Sequence, residues 1–223
     1  MILLKKRVAL ALALVLALCG LSGCGRKKEP FEGIPNPVAT IELSDGSSMR
    51  FELFLADAPN TVANFVELAN AGFYDGQKFF RIVPGVLIQA GDPWNNGTGR
   101  AEYVIQGEFA ENGIENPVRH VRGTISMSRQ NGYDTASTQF FILQGPYPEY
   151  NGKYAAFGQV MDEESLETLE AINRTNVDGN YSPVDAVPSI VTIKVDTFGY
   201  KYTASKMVLP ETTKPPATAE EEE

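Results

Sequence analysis

Residues 79–92, FFRIVPGVLIQAGD, narrow the options for this chain more than any other stretch. Two short runs of aromatic and β-branched residues are broken by Pro84-Gly85, a pair that marks a turn, so strands are predicted over 79–83 and 86–90. Yet the first run carries Arg81 and the second Gln89. A guanidinium stays charged at any accessible pH and has five donors to satisfy. On such a strand it is paired, snorkels outward, or faces a cavity. In isolation, a surface ion pair on an edge strand is the ordinary outcome.

The surrounding sequence supplies further strands. VATIEL (38–43) and the run after Ser44-Asp45-Gly46-Ser47 alternate apolar residues on both sides of a glycine-containing turn, the pattern of a hairpin. After Pro59-Asn60-Thr61, the residues Val62, Phe65, Val66 and Ala69 recur at helical spacing, and Gly72 supplies a stop. A Gly- and Asn-rich loop then leads to strand-like pieces near 103–109 and 123–128, followed by QFFIL (139–143) and AAFGQV (155–160). A second helix is expected over 162–172, with Leu166, Leu169 and Ile172 on one face, and VPSIVTIKV (187–195) ends the unit. Many short strands with two helices predict a mainly β fold, a barrel or sandwich with helical plugs. Closing a sheet removes its edges but leaves open ends to cover.

The two ends of the chain read differently from the middle. KKR at 5–7 precedes VALALALVLALCGL, a run short for a bilayer span and typical of a secretory signal core. Leu21-Ser22-Gly23-Cys24 follows and resembles the lipobox of bacterial lipoproteins. That resemblance implies removal of a signal peptide over 1–23 and lipidation of Cys24, with an ordinary cleaved signal or an uncleaved anchor as alternatives. Several acyl chains on Cys24 would hold the protein to the extracytoplasmic face of a bacterial cell membrane. Cys19 would leave with the signal, so the mature chain would have one cysteine and no internal disulfide. Residues 24–37 mix charge with Gly and Pro and read as a tether, ahead of a domain over 38–202. A disordered acidic tail is expected over 203–223, because its TTKPPATAEEEE end offers little apolar surface to bury.

The formal net charge of −9 argues against nucleic acid as a partner, since phosphate binding needs a basic surface. Other chemistries find weak support. His120 is the single histidine and has no companion ligands for zinc. The serines of GTISMS lack a nucleophile-elbow pattern, and the loop at Asp92 lacks the acids of a calcium site. Glu108 and Glu111 read as solvated acids of a polar loop.

Six fragments in order, PNTVANF, FYDGQKFFRIVPGVLIQAGD, NNGTG, GTISMSR, STQFFIL and NGKYAAFG, resemble the cyclophilin family of peptidyl-prolyl isomerases from about residue 40 to 195. The resemblance implies a closed eight-stranded antiparallel β-barrel capped by two α-helices, with the active site on its outer surface. It puts Arg81 on the catalytic arginine and Gln89 on the glutamine beside it. Phe141 falls on the floor of the proline pocket, Leu87 on its wall and Gln139 on its polar edge. Ser128 and Arg129 match a segment whose backbone hydrogen-bonds the substrate peptide, and Tyr154 matches a position usually held by His or Tyr. Val86 stands where many members carry a pocket-closing Phe, and the loop over 129–138 is one residue longer than the common pattern. The aromatic usually found before NGK has Tyr147, Glu149 and Tyr150 near its place.

The implied activity is rotation of X-Pro bonds in exported proteins by a monomer that needs no cofactor or metal. Such rotation is slow unaided because the amide C–N bond has partial double-bond character. A donor that stabilises charge on the prolyl nitrogen, beside a pocket that holds the ring, supplies what the reaction lacks. Val86 keeps open a second reading, a module that binds Pro-containing segments with little rotation. With Arg81 unable to titrate and His120 outside the expected site, activity should vary little between about pH 6 and 8.

Overall fold

A computed structural model describes residues 31–209 of the chain. The signal segment, Cys24, the first part of the tether and the tail from residue 210 onward lie outside the described residues. The predicted hairpin forms: β1 (Val38–Leu43) and β2 (Ser48–Leu53) pair antiparallel, with Ala39 opposite Phe51 and Ile41 opposite Met49. All four are fully buried, so one side of the pleat faces the core.

Pro84-Gly85 likewise separates β3 (Arg81–Val83) from β4 (Leu87–Ala90). Val86 N–H donates to Val83 O at 2.9 Å, and Gly85 has φ 74°, as the third residue of a type II turn requires. Next along the chain, β5 (Tyr103–Val104) stands outside the main sheet. The sheet is completed by β6 (Thr124–Met127), β7 (Phe140–Leu143), β8 (Ala156–Val160) and β9 (Ile190–Asp196). Its eight strands run in the order β3-β4-β7-β6-β8-β2-β1-β9, each neighbour antiparallel.

Helix α1 (Pro59–Asn70) inserts Phe65 into the concave side, where its ring lies 5.3–5.4 Å from those of Phe157, Tyr74 and Phe140. Pro59 suits the first turn, where its missing N–H is no loss. Ala58 gives no side-chain cap. Glu108 does so from a distant loop, accepting from Asn60 N–H (2.9 Å), Thr61 N–H (2.7 Å) and the Thr61 hydroxyl (2.6 Å). At 5% exposure it is not a solvated acid, which corrects the sequence reading: its charge is set against the positive end of the helix. Helix α2 (Glu163–Asn173) is capped by Asp162, which accepts from Ser165 N–H at 2.9 Å, and packs Leu169 and Ile172 inward against the sheet. Leu166 on the same face is only half-buried.

The sheet is an open, curled half-barrel rather than a closed barrel. The reason lies in β3, which is three residues long instead of the expected five. Its outward-facing Ile82 N–H donates to Tyr181 O at 2.8 Å and so is not available to β9. Two backbone bonds just upstream, Gly76 N–H to Ile190 O and Ile190 N–H to Gln77 O, both 2.8 Å, bring the edges together at one point.

The strand expected over 103–109 is also reduced, to β5, and its partner is unexpected. β10 (Met207–Val208) pairs with it, while Lys206 bonds Glu67 of α1 at 2.6 Å. Chain in contact with the domain therefore continues past Tyr202, where composition alone puts the boundary. Among the described residues, no helix is long and apolar enough to cross a membrane.

Candidate active site

Strand alternation and register determine which residues share the outer face. Arg81 pairs with Gln89, Gln89 with Phe141, and Phe141 with Ser126, forming one row across β3, β4, β7 and β6. Val83, Leu87 and Leu143 form the next row on the same face. The intervening Ile82, Ile88 and Ile142 turn inward to the core. The guanidinium is thus carried outward by the same pleat that buries its neighbours.

Phe141, Leu87 and Leu143 make an apolar floor against which Val83, Val86, Tyr147, Tyr150 and Tyr154 pack. Tyr150 and Tyr154 meet Phe141 edge-on, at 5.7 and 5.6 Å between centroids, and Tyr147 backs Tyr150 at 4.7 Å. Of the three residues near NGK, Tyr147 and Tyr150 both pack on this floor, and Tyr150 is the one in ring contact with Phe141. The 3-10 turn at Pro148–Tyr150 sets the two on one side, because residues three apart in such a turn eclipse one another.

His120, which the sequence reading leaves outside the site, stands directly behind the pocket. Its ring stacks on Phe141 at 6.2 Å, and its two nitrogens meet Asn151 Oδ1 at 3.2 Å and Ser126 Oγ at 3.0 Å. A lone histidine in an Arg-rich loop gives no sign of this in sequence. Burial holds its pKa below the usual imidazole value, partly offset by the Asn151 hydrogen bond.

Arg81 has no carboxylate partner among the described residues, which removes the surface ion pair as its explanation. One guanidinium nitrogen donates to Gln89 Oε1 at 3.1 Å, and the Tyr181 ring centroid lies 5.8 Å from its carbon. Gln89 in turn donates to Gln139 Oε1 (2.9 Å) and Ser128 Oγ (3.1 Å). Gln139 donates to the carbonyls of Gly99 (2.8 Å) and Gly97 (3.3 Å).

That loop is held by Asp92, whose carboxylate accepts from the backbone N–H groups of Trp94, Asn96 and Gly97. Gly99 has no room for a side chain, since a Cβ would lie 1.9 Å from Asp92 Oδ1. The result is an orientation relay from a buried carboxylate to an outward guanidinium, each side-chain amide held by the acceptors beyond it.

Beside the apolar floor is an open polar cavity of about 210 Å³, lined by Gln89, Gln139, Ser128, Arg129 and the 97–100 loop. Ser128 N–H is engaged by Gln139 O at 2.9 Å, so it does not face the cavity as the resemblance implied. The Arg129 guanidinium lies against the Tyr154, Phe109 and Tyr133 rings at 4.8, 5.2 and 5.4 Å and donates to Lys153 O. It braces Tyr154, and through it the pocket wall.

These residues predict a distinctive pH response. With its pKa lowered, His120 stays neutral through pH 6.5–8, so kcat/KM should be flat there, with any limb below about 6.5. The unfolded chain binds the His120 proton more readily, so this contribution to stability is present above about pH 6.5 and is lost as pH falls through the folded pKa. Melting curves of the wild type and of His120→Asn from pH 7.5 to 5 should show a steeper fall for the wild type. Equal slopes, or a rate limb between pH 7 and 8, would contradict this.

The sequence from 38 to 195 matches the family model for cyclophilin-type peptidyl-prolyl cis-trans isomerase/CLD. A peptidyl-prolyl cis-trans isomerase of Synechococcus elongatus is 42% identical over 134 residues, covering 60% of this chain and 87% of that protein. Peptidyl-prolyl cis-trans isomerase B of Bacillus subtilis is 46% identical over 118 residues, 53% of this chain and 79% of the relative. Among solved structures, a cyclophilin-type isomerase of Cryptosporidium parvum matches with a TM-score of 0.63 at 29% identity, covering 72% of this chain and 98% of its own. The same protein in the presence of the dipeptide Ala-Pro matches with a TM-score of 0.62 at 30% identity, covering 71% of this chain and 98% of its own.

Proposed function

Since the chain belongs to the cyclophilin-type peptidyl-prolyl cis-trans isomerase family, we propose that Arg81 is its catalytic donor and that the Phe141 floor holds the substrate proline. The single observation that carries this reading is the outward guanidinium, without a carboxylate partner among the described residues and one strand away from Gln89 in the row that includes Phe141.

As the X-Pro bond twists, conjugation is lost and electron density gathers on the prolyl nitrogen. Arg81 donates to that nitrogen more strongly in the twisted state than in either planar one, which lowers the barrier without any covalent step. Gln89 orients the donor. Leu87, Val86, Tyr150 and Tyr154 exclude water around the ring, and Gln139, Ser128 and the Arg129 backbone border the cavity that receives the neighbouring peptide. A solved relative was crystallised in the presence of Ala-Pro, a ligand of the size this pocket would take.

The binding-module alternative draws on Val86 in place of a larger residue. Tyr147, Tyr150 and Tyr154 pack with Val86 against the same cluster of Phe141, Leu87 and Leu143, which supports an apolar pocket wall without a larger residue at 86 and so favours catalysis.

The substrates are proposed to be Pro-containing segments of exported proteins, folded outside the cytoplasmic membrane by a monomer tethered through lipidated Cys24. Support for this comes from the amino-terminal pattern alone, KKR, an apolar core and Leu21-Ser22-Gly23-Cys24. In fractionated bacterial cells the full-length protein should sediment with membranes and incorporate labelled fatty acid. Cys24→Ala should abolish the labelling. Fatty-acid labelling that persists in Cys24→Ala, or a soluble unlabelled wild type, would remove the lipoprotein assignment.

A further inference from the structure

On the side of Arg81 away from Phe141, β3 is met by a turn over residues 176–185. Asp178 organises it: the carboxylate accepts from Asn180 N–H (2.8 Å) and Ser182 N–H (2.9 Å), and the Asp178 N–H donates to Ser182 O (2.9 Å). Val184 N–H to Asn176 O and the Asn176 amide to Asp185 secure the base of the turn. At its tip sits Tyr181, with φ 65°.

A bulky residue is rarely found in the left-handed region, and backbone strain of this kind gathers where a side chain has a task. Gly179 and Asn180, the adjacent residues that would adopt that conformation most readily, do not carry it. The strain is held in place because Tyr181 O accepts from Ile82 N–H of β3. The ring is 44% exposed, contacts no other ring among the described residues, and lies with its centroid 5.8 Å from the Arg81 guanidinium carbon. A tyrosine left in water by a strained, well-anchored turn, beside the proposed catalytic donor, presents a flat apolar face with a polar tip at the edge of the groove.

We propose that Tyr181 is a specificity-determining residue of the isomerase, forming with the Arg81 guanidinium a subsite for an aromatic or branched aliphatic side chain that flanks the substrate proline. The peptide would leave the Phe141 pocket over Arg81, and the flanking side chain would lie against the Tyr181 ring. The subsite rests on the assignment of Phe141 and Arg81 as pocket and donor.

The test uses the full-length protein and two peptide sets, one with Phe or Leu at either position next to proline and one with Gly at both. Isomerisation kinetics and calorimetric Kd are measured for the wild type, Tyr181→Gly and Tyr181→Phe. Tyr181→Gly keeps a residue that tolerates the turn's backbone, and Tyr181→Phe keeps the ring. At one flanking position the wild type is expected to prefer the apolar side chain by about tenfold, the value of one well-placed ring contact. Tyr181→Phe should retain that ratio and Tyr181→Gly should bring it near one. Equal ratios in all three proteins at both flanks would overturn the subsite. A wild type that binds with this preference but turns over nothing would leave the subsite standing while overturning Arg81 as the donor.

Discussion

Arg81→Ala should lower kcat/KM on prolyl peptides by about two to three orders of magnitude, the loss seen when one preorganised donor is removed from a site that stabilises charge. Most of the effect should fall on kcat, because the donor's bond strengthens only as the amide twists. The fold should be little affected, since Arg81 has no ion pair to break among the described residues and its main partner is the Gln89 side chain. Arg81→Lys should recover only part of the activity: an ammonium keeps the charge but not the planar fork that meets Gln89 and the substrate together. A folded Arg81→Ala protein within a few-fold of wild-type kcat would show that pocket binding alone performs the rotation.

Phe141→Ala should act on binding and stability together. Phe141 is 4% exposed and its ring contacts those of His120, Tyr150 and Tyr154, so its loss leaves a cavity among these three side chains. Deletions of this kind in cores cost about 3–5 kcal/mol. The proline loses its floor, so KM should rise about 10–100-fold while kcat falls less, Arg81 being retained. Phe141→Leu should restore most of the stability with a smaller part of the affinity. If KM is unchanged in a folded Phe141→Ala protein, the proline does not bind on this surface.

What could be read in the sequence was local. Pro84-Gly85 marks the turn that separates the strands of Arg81 and Gln89, and the structure sets the two residues opposite each other across a three-residue connection, Pro84 to Val86, which the Pro-Gly pair alone does not specify. The hairpin and both helices were legible from local patterning, whereas the placement of Phe141 and Leu87 on one apolar floor came from the family resemblance. What stayed hidden depends on residues far apart in the chain. Glu108 reads as a loop acid until α1 is brought to it, and a single 3-10 turn puts Tyr147 and Tyr150 against the pocket cluster while Glu149 stays exposed. His120 enters the site only through the stacking of a loop side chain on a strand residue, Phe141, a contact with no periodic signal. Closure of the barrel failed as an expectation because one N–H, that of Ile82, is taken by the turn at Tyr181. The proposed lipid anchor rests on the pattern of the first 24 residues alone, which lie outside the described residues.

The role of Arg81 is most directly tested by exchange NMR on an Ala-Pro-containing peptide saturating first the wild type and then Arg81→Ala, since it reads rotation of the bound peptide separately from its affinity. The account predicts rapid cis–trans exchange on the wild type, and on the variant a Kd within a few-fold but exchange slowed by about a hundredfold or more. Unchanged exchange on the variant, or a wild type that binds the peptide and leaves exchange at its uncatalysed rate, would contradict it.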